Sequence, residues 1–146
     1  MKPDNLQPLL IVEDSDEDFA ALKRIIVKAH PHPVYRCEDG DEALDYLYHE
    51  GRYEDPMTAP RPSLIMLDLN LPGTDGREVL SALKQDRSLK TIPVVIFSTS
   101  SNSKDVNACY RQGISGYLVK PMNTERLNQL VKTFLAYWFN TVELPN

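Results

Sequence analysis

The chain has 146 residues, 42% of them apolar and 25% charged, and a net charge of −5. That length supports one ordinary domain able to bury roughly 70% of the surface its unfolded form exposes, and no apolar run approaches the roughly 18 residues of a membrane span. The acidic balance, with no cluster of Lys and Arg, excludes nucleic acid as the main partner, because phosphate contacts need such clusters.

The first residues, MKPDNLQPLL, carry neither a basic region before a long apolar stretch nor a small-residue cleavage site. Export is therefore not indicated, and a soluble, cytoplasmic protein is expected. Residues 8–14, PLLIVED, form an apolar run that ends in acids. Ser15 then caps a helix in which Asp16, Glu17 and Asp18 favour the positive end and Phe19, Leu22, Ile26 and Ala29 recur at helical spacing. Residues 32–37, HPVYRC, read as a weaker strand, followed by a helix from about Gly40 to Glu50 with Ala43, Leu44, Leu47 and Tyr48 on one face.

Residues 49–62 contain three prolines in fourteen positions, so neither helix nor central strand continues through them. A surface loop longer than the usual few residues is expected there. Residues 63–68 form a third strand, then a turn rich in Pro, Gly and Asp, then a helix with Val79, Leu80 and Leu83 inward. Residues 91–99 form a fourth strand. A short helix ended by Gly113 and a fifth strand at 116–120 follow, and a last helix starts near Asn123 or Thr124. Cys37 and Cys109 are far apart and outside any metal-ligand spacing, which makes them reduced core residues.

Five alternations of strand and helix, with strands that are nearly continuous apolar runs, predict an α/β fold with a parallel sheet covered on both faces. In such sheets ligands sit beyond the carboxyl ends of the strands. Those ends carry Glu13 and Asp14, Asp68, Ser98 and Thr99, and Lys120. Three carboxylates converging on one cleft repel one another unless a cation stands among them, and Lys120 and a divalent metal are the candidates. Oxygen-only donors suit Mg²⁺. A carboxylate, cations and a neutral hydroxyl together have the parts for phosphoryl transfer, with Asp68 as the nucleophile.

From Glu13-Asp14 through Asp68 and the LPGTDG turn to Ser98 and Lys120-Pro121, the chain resembles the receiver domain of two-component response regulators. The resemblance implies a flavodoxin-like, doubly wound sheet of five parallel strands, a (βα)5 fold in the order 2-1-3-4-5. It implies one receiver domain over residues 1–146, with a core of about 7–136, a C-terminal extension from about 136, and no output domain. Asp68 becomes the acceptor of a phosphoryl group from the phosphohistidine of a sensor histidine kinase. Asp14, the Asp68 carboxylate and the Asn70 backbone carbonyl would bind Mg²⁺, or Mn²⁺ in its place, with Glu13 acting through water. Lys120 would bridge the phosphoryl group and the acids, Ser98 would move to bond a phosphoryl oxygen, and Tyr117 would swing inward with it. Pro121 is expected to follow a cis bond. Thr99 stands where the family often has a smaller residue, and Asn70 and Ser100 would flank the water that hydrolyses the product. The chain would catalyse its own phosphorylation and dephosphorylation rather than act as an enzyme on others.

In the last helix Leu127, Leu130, Val131, Phe134 and Trp138 form one stripe. From Thr124 to Phe139 the helix is about 24 Å long against about 17 Å for a five-residue strand. Its last turn should project, with Tyr137 and Phe139 off the stripe, as a tail folded on its own domain or as a contact patch. The Pro-rich loop and this tail are similar to small regulators of bacterial and cyanobacterial phytochrome kinases, which implies a phytochrome partner and a homodimer through the last strand, helix and tail. Three rivals remain at this level. Haloacid-dehalogenase-like phosphatases need an acid where Asn70 stands. A flavodoxin-like cofactor binder needs a phosphate cradle where EDSDED stands. An adaptor that is never phosphorylated would be indifferent to Asp68→Asn.

Overall fold

The computed structural model describes residues 6–145, so expectations about Met1 to Asn5 and Asn146 lie outside the described residues. Strand and helix alternate five times: β1 (Leu9–Val12), α1 (Asp16–Ala29), β2 (Val34–Cys37), α2 (Gly40–Tyr48), β3 (Leu64–Leu67), α3 (Gly76–Gln85), β4 (Val94–Ser98), α4 (Ser103–Gln112), β5 (Gly116–Val119) and α5 (Thr124–Asn140). All neighbouring strands are parallel, in the order β2-β1-β3-β4-β5. This is the flavodoxin-like arrangement expected. Among the described residues no helix is long and apolar enough to cross a membrane.

The period of two in a strand explains why the central runs have no polar face. Leu9 and Ile11 of β1, with Leu64 and Met66 of β3, feed a core against α1 and α5 that includes Leu22, Ile26, Val131 and Phe134. Leu10 and Val12, with Ile65 and Leu67, feed the opposite core with Tyr46, Val79, Leu80 and Cys109. Cys37 and Cys109 are both buried and free. The edge strand β5 is half-buried, and Val119 is exposed.

Strands β2 and β4 start later than the expected positions 32 and 91 because a proline supplies no N–H donor at their starts. Pro33 precedes β2 and Pro93 precedes β4, where Leu89–Thr91 forms a 3₁₀ turn instead of strand. The proline carbonyls still serve the ladder, accepting from Leu9 and Ile65. The loop over 49–62 is tied down along its length. Ala59 is buried, the Tyr46 hydroxyl donates to the Pro60 carbonyl at 2.8 Å, and Arg61 donates to the Ser88 carbonyl at 2.7 Å.

Helix α5 continues to Asn140, and its last turn divides its aromatics. Phe139 folds back onto the domain, its ring 4.1 Å from His30 and 5.6 Å from His32, which is the first of the two places expected for the tail. Leu144 of the tail is also buried, whereas Tyr137 is half exposed.

Candidate functional site

The end of β3 carries Asp68 past the strand without releasing its backbone. Its N–H donates to the Val12 carbonyl at 3.1 Å, so the parallel ladder with β1 fixes the carboxyl-bearing residue. The following turn closes tightly over it. Gly76 lies so near that a Cβ there would stand 2.2 Å from the Asp68 carbonyl oxygen and 2.6 Å from the Leu69 Cα. Gly73 takes a φ of 70°, the left-handed region that favours glycine. The Asn70 N–H donates to Asp68 Oδ1 at 3.2 Å, which folds the Asn70 backbone around the carboxylate.

The ladders on either side bring the other candidates to the same end of the sheet. Glu13 N–H donates to the Cys37 carbonyl at 3.0 Å and Lys120 N–H to the Ser98 carbonyl at 2.8 Å. Lys120 Nζ then reaches Glu13 Oε1 at 2.7 Å, Asp68 Oδ2 at 2.9 Å and Asp18 Oδ2 at 3.0 Å. Glu13 and Asp68 are buried while Asp14 is exposed, so the cleft has a dry floor and one wet acid at its rim.

Electrostatics follow from that arrangement. Burial pushes the Glu13 carboxyl up to about 7, with the Asp68 charge adding to the rise and Lys120 opposing it. For Lys120 burial works against the charge, but contacts with Glu13, Asp68 and Asp18 outweigh it and hold the amine above the ordinary lysine range. Glu13, Asp14 and Asp68 each bring one carboxylate oxygen within 4.8 Å of the others. With Asp18 beside them the cleft holds four acids, and the Lys120 amine meets three of them, Glu13, Asp18 and Asp68. Such an all-oxygen, negative donor set fits a hard divalent cation.

Ser98 is fully buried at the end of β4, and its hydroxyl oxygen accepts from the Ser100 N–H at 3.3 Å. Tyr117 lies half-buried against the core and donates its hydroxyl to the Ser100 carbonyl at 2.8 Å. Thr99 between them is exposed. The expected cis bond before Pro121 is absent: the Lys120–Pro121 bond is trans, as are the other described peptide bonds. Trans is the lower-energy state of an X–Pro bond by about 0.5–1 kcal/mol, and Lys120 reaches its three acids from the trans backbone.

Asp18 was not singled out in the sequence as a site residue. The signal was present in EDSDED, because Ser15 caps α1 through the Asp18 N–H and so places that first helical turn over the strand ends. The acid position that a dehalogenase-like phosphatase would need is held by Asn70, which is exposed and turns its N–H to Asp68.

The family model of the response regulator receiver domain matches residues 9–132. The chain is 41% identical over 138 residues to Response regulator Rcp1 of Synechocystis sp., covering 94% of this chain and 92% of that protein. Its fold superposes on the phosphorylated cyanobacterial phytochrome response regulator RcpA with a TM-score of 0.91 and 41% identity, over 97% of this chain and 99% of that one. The Mn²⁺-bound form of Rcp1 gives a TM-score of 0.89 at 41% identity, over 96% and 99% of the two chains.

Proposed function

Since the chain belongs to the response regulator receiver family, we propose that it accepts a phosphoryl group on Asp68 from the phosphohistidine of a sensor histidine kinase. The observation that carries this reading is the buried Asp68 carboxylate, held 2.9 Å from the Lys120 amine at the floor of an acidic cleft. An Asp68 carboxylate oxygen forms the new bond to phosphorus, the P–N bond to the kinase imidazole breaks, and its electron pair stays on the departing nitrogen. Lys120 offsets the charge gathering on the phosphoryl oxygens, and the Asn70 N–H keeps the carboxylate oriented. Asp14, Asp68 and the Asn70 carbonyl would hold Mg²⁺ or Mn²⁺, with Glu13 through water; the cation supplies the remaining charge neutralisation. Hydrolysis on the same site returns the free carboxylate, past Asn70 and Ser100.

The switch falls to Ser98 and Tyr117. A phosphoryl group on Asp68 offers new acceptors to the Ser98 hydroxyl and the Lys120 amine, and bonding them requires the loop after β4 to move. Tyr117, tied to the Ser100 carbonyl, moves with that loop. The kinase is of the phytochrome type, a reading supported by the likeness to Rcp1 and RcpA. The whole chain acts as one receiver in the cytoplasm, with the segment after about residue 136 as an extension. A second copy docks on the apolar groove between β5 and α5, where Val119, Met122 and Tyr137 are exposed.

Incubation with acetyl phosphate and Mg²⁺ should add one acid-stable, base-labile phosphoryl mass to the peptide carrying Asp68, and none in Asp68→Asn. A folded protein that gains no such mass ends this reading. Sedimentation before and after phosphorylation tests the pairing, with a monomer in both states as the adverse result.

A further inference from the structure

A continuous line of polar contacts leaves the site and crosses two helices that the phosphoryl chemistry does not use. The Ser100 N–H donates to Ser98 Oγ at 3.3 Å, and the Ser100 hydroxyl donates to Asp105 Oδ2 at 2.6 Å. The other oxygen of Asp105 accepts from Arg77 Nη2 at 3.1 Å. Arg77 also pairs through Nη1 with Asp75 Oδ1 at 3.1 Å, and Asp75 caps α3 by accepting from the Arg77 N–H at 2.8 Å. Asp105 lies in the first turn of α4, so one carboxylate bridges the loop after β4 to the start of the helix that follows Asp68. The Ser100 hydroxyl first, and Arg77 second, hold that carboxyl below the usual aspartate range.

The Asp105 and Arg77 side chains are 27% and 42% exposed. A pair so open to water contributes little to global stability. Its consequence is positional, because it fixes the residue whose carbonyl receives Tyr117 and whose N–H engages Ser98. We propose that Asp105 is a positioning residue that, through Ser100 on one oxygen and Arg77 on the other, holds the β4–α4 loop in the geometry from which Ser98 and Tyr117 respond to Asp68. The inference rests on the phosphoacceptor reading for its purpose, but the latch itself is a property of the unmodified protein.

The test uses the full chain carrying 3-fluorotyrosine, with the Tyr117 ¹⁹F signal assigned by its loss in Tyr117→Phe. Asp105→Ala and Arg77→Ala, without phosphodonor or metal, should each shift or broaden that signal while the urea midpoint stays near that of the parent. Phosphoryl uptake from acetyl phosphate should slow about fivefold in Asp105→Ala, and the double variant should be no slower, because the two residues act as one unit. An unmoved Tyr117 signal in both variants overturns the latch, and so do rate effects that multiply. Asp105→Ala and Arg77→Ala break the contact from different helices, so misfolding of one leaves the other to decide. If the parent protein takes no phosphoryl group, the function proposed above fails, and the ¹⁹F comparison still decides the latch.

Discussion

Lys120 Nζ stands 2.9 Å from Asp68 Oδ2 and 2.7 Å from Glu13 Oε1, so a single amine joins the ends of β5, β3 and β1. Its side chain is only 10% exposed, and removing it leaves buried acids facing one another. Breaking such a group by deleting one partner costs on the order of 3 kcal/mol. Lys120→Met should lose about that much in urea unfolding with a chelator present, above pH 7. The loss should shrink as pH falls, because Glu13, already pushed up to about 7, takes a proton and relieves the repulsion. A loss that is the same across that range would contradict the electrostatic account.

Asp14 offers the complementary case. It is exposed at the rim, yet it brings an oxygen within 4.8 Å of those of Glu13 and Asp68. Asp14→Ala should therefore leave unfolding in chelator almost unchanged, within about 0.5 kcal/mol, as expected of a surface position. In the parent, added Mg²⁺ or Mn²⁺ should raise the melting temperature, since a ligand that binds only the folded state stabilises it by mass action. That rise should vanish in the variant. A cation response that survives Asp14→Ala would place the metal elsewhere.

The sheet and the main residues of the site were legible because both follow simple periodicities. Apolar runs closing in Glu13, Asp68 and Ser98 marked the strand ends, and parallel ladders bring such ends together without further information. The isomer of the Lys120–Pro121 bond was not legible, because cis and trans differ by less than about 1 kcal/mol and tertiary context decides. Nor was the Asp105–Arg77 contact. It joins residues 28 positions apart on two helices, and no local pattern encodes their approach. The sequence left the tail two places, folded on its own domain or forming a contact patch, and could not choose for Phe139 because its partners, His30 and His32, lie more than a hundred positions away.

The β3–α3 turn makes a steric prediction. A methyl at Gly76 would meet backbone, the Asp68 carbonyl at 2.2 Å and the Leu69 carbonyl at 2.8 Å, and neither can yield without moving Asp68 itself. Gly76→Ala should destabilise the protein by about 2–3 kcal/mol and slow phosphoryl uptake from acetyl phosphate as the carboxylate leaves its place beside Lys120. Urea unfolding and the uptake rate should fall together. Unchanged uptake in a destabilised protein would show that the turn supports the fold without positioning Asp68.

At the opposite end of the sheet, His30 sets a pH dependence of its own. Its ring is buried against Phe139 and His32, and its Nε2 has no hydrogen-bond partner among the described residues. Burial first, and the neighbouring His32 second, lower its pKa from 6.5 to about 4, and burial lowers His32 as well. As pH falls below 6.5 the unfolded chain takes up the proton before the folded one does. The contribution of His30 is thus whole above pH 6.5 and is lost toward pH 4, by at most about 3 kcal/mol. Glu13 acts with the opposite sign, since a carboxyl raised to about 7 favours the folded state increasingly as pH falls from 7 to the ordinary glutamate value of 4.5. The two partly cancel, so the difference between parent and His30→Phe carries the prediction. That variant keeps an aromatic ring beside Phe139 but removes both ring nitrogens and with them the titration, so the prediction lies in the change with pH and not in any constant offset near pH 7. Between pH 6.5 and 4, in chelator, His30→Phe should become progressively more stable than the parent in urea unfolding. Parallel pH profiles for the two proteins would mean that His30 takes up its proton as readily folded as unfolded.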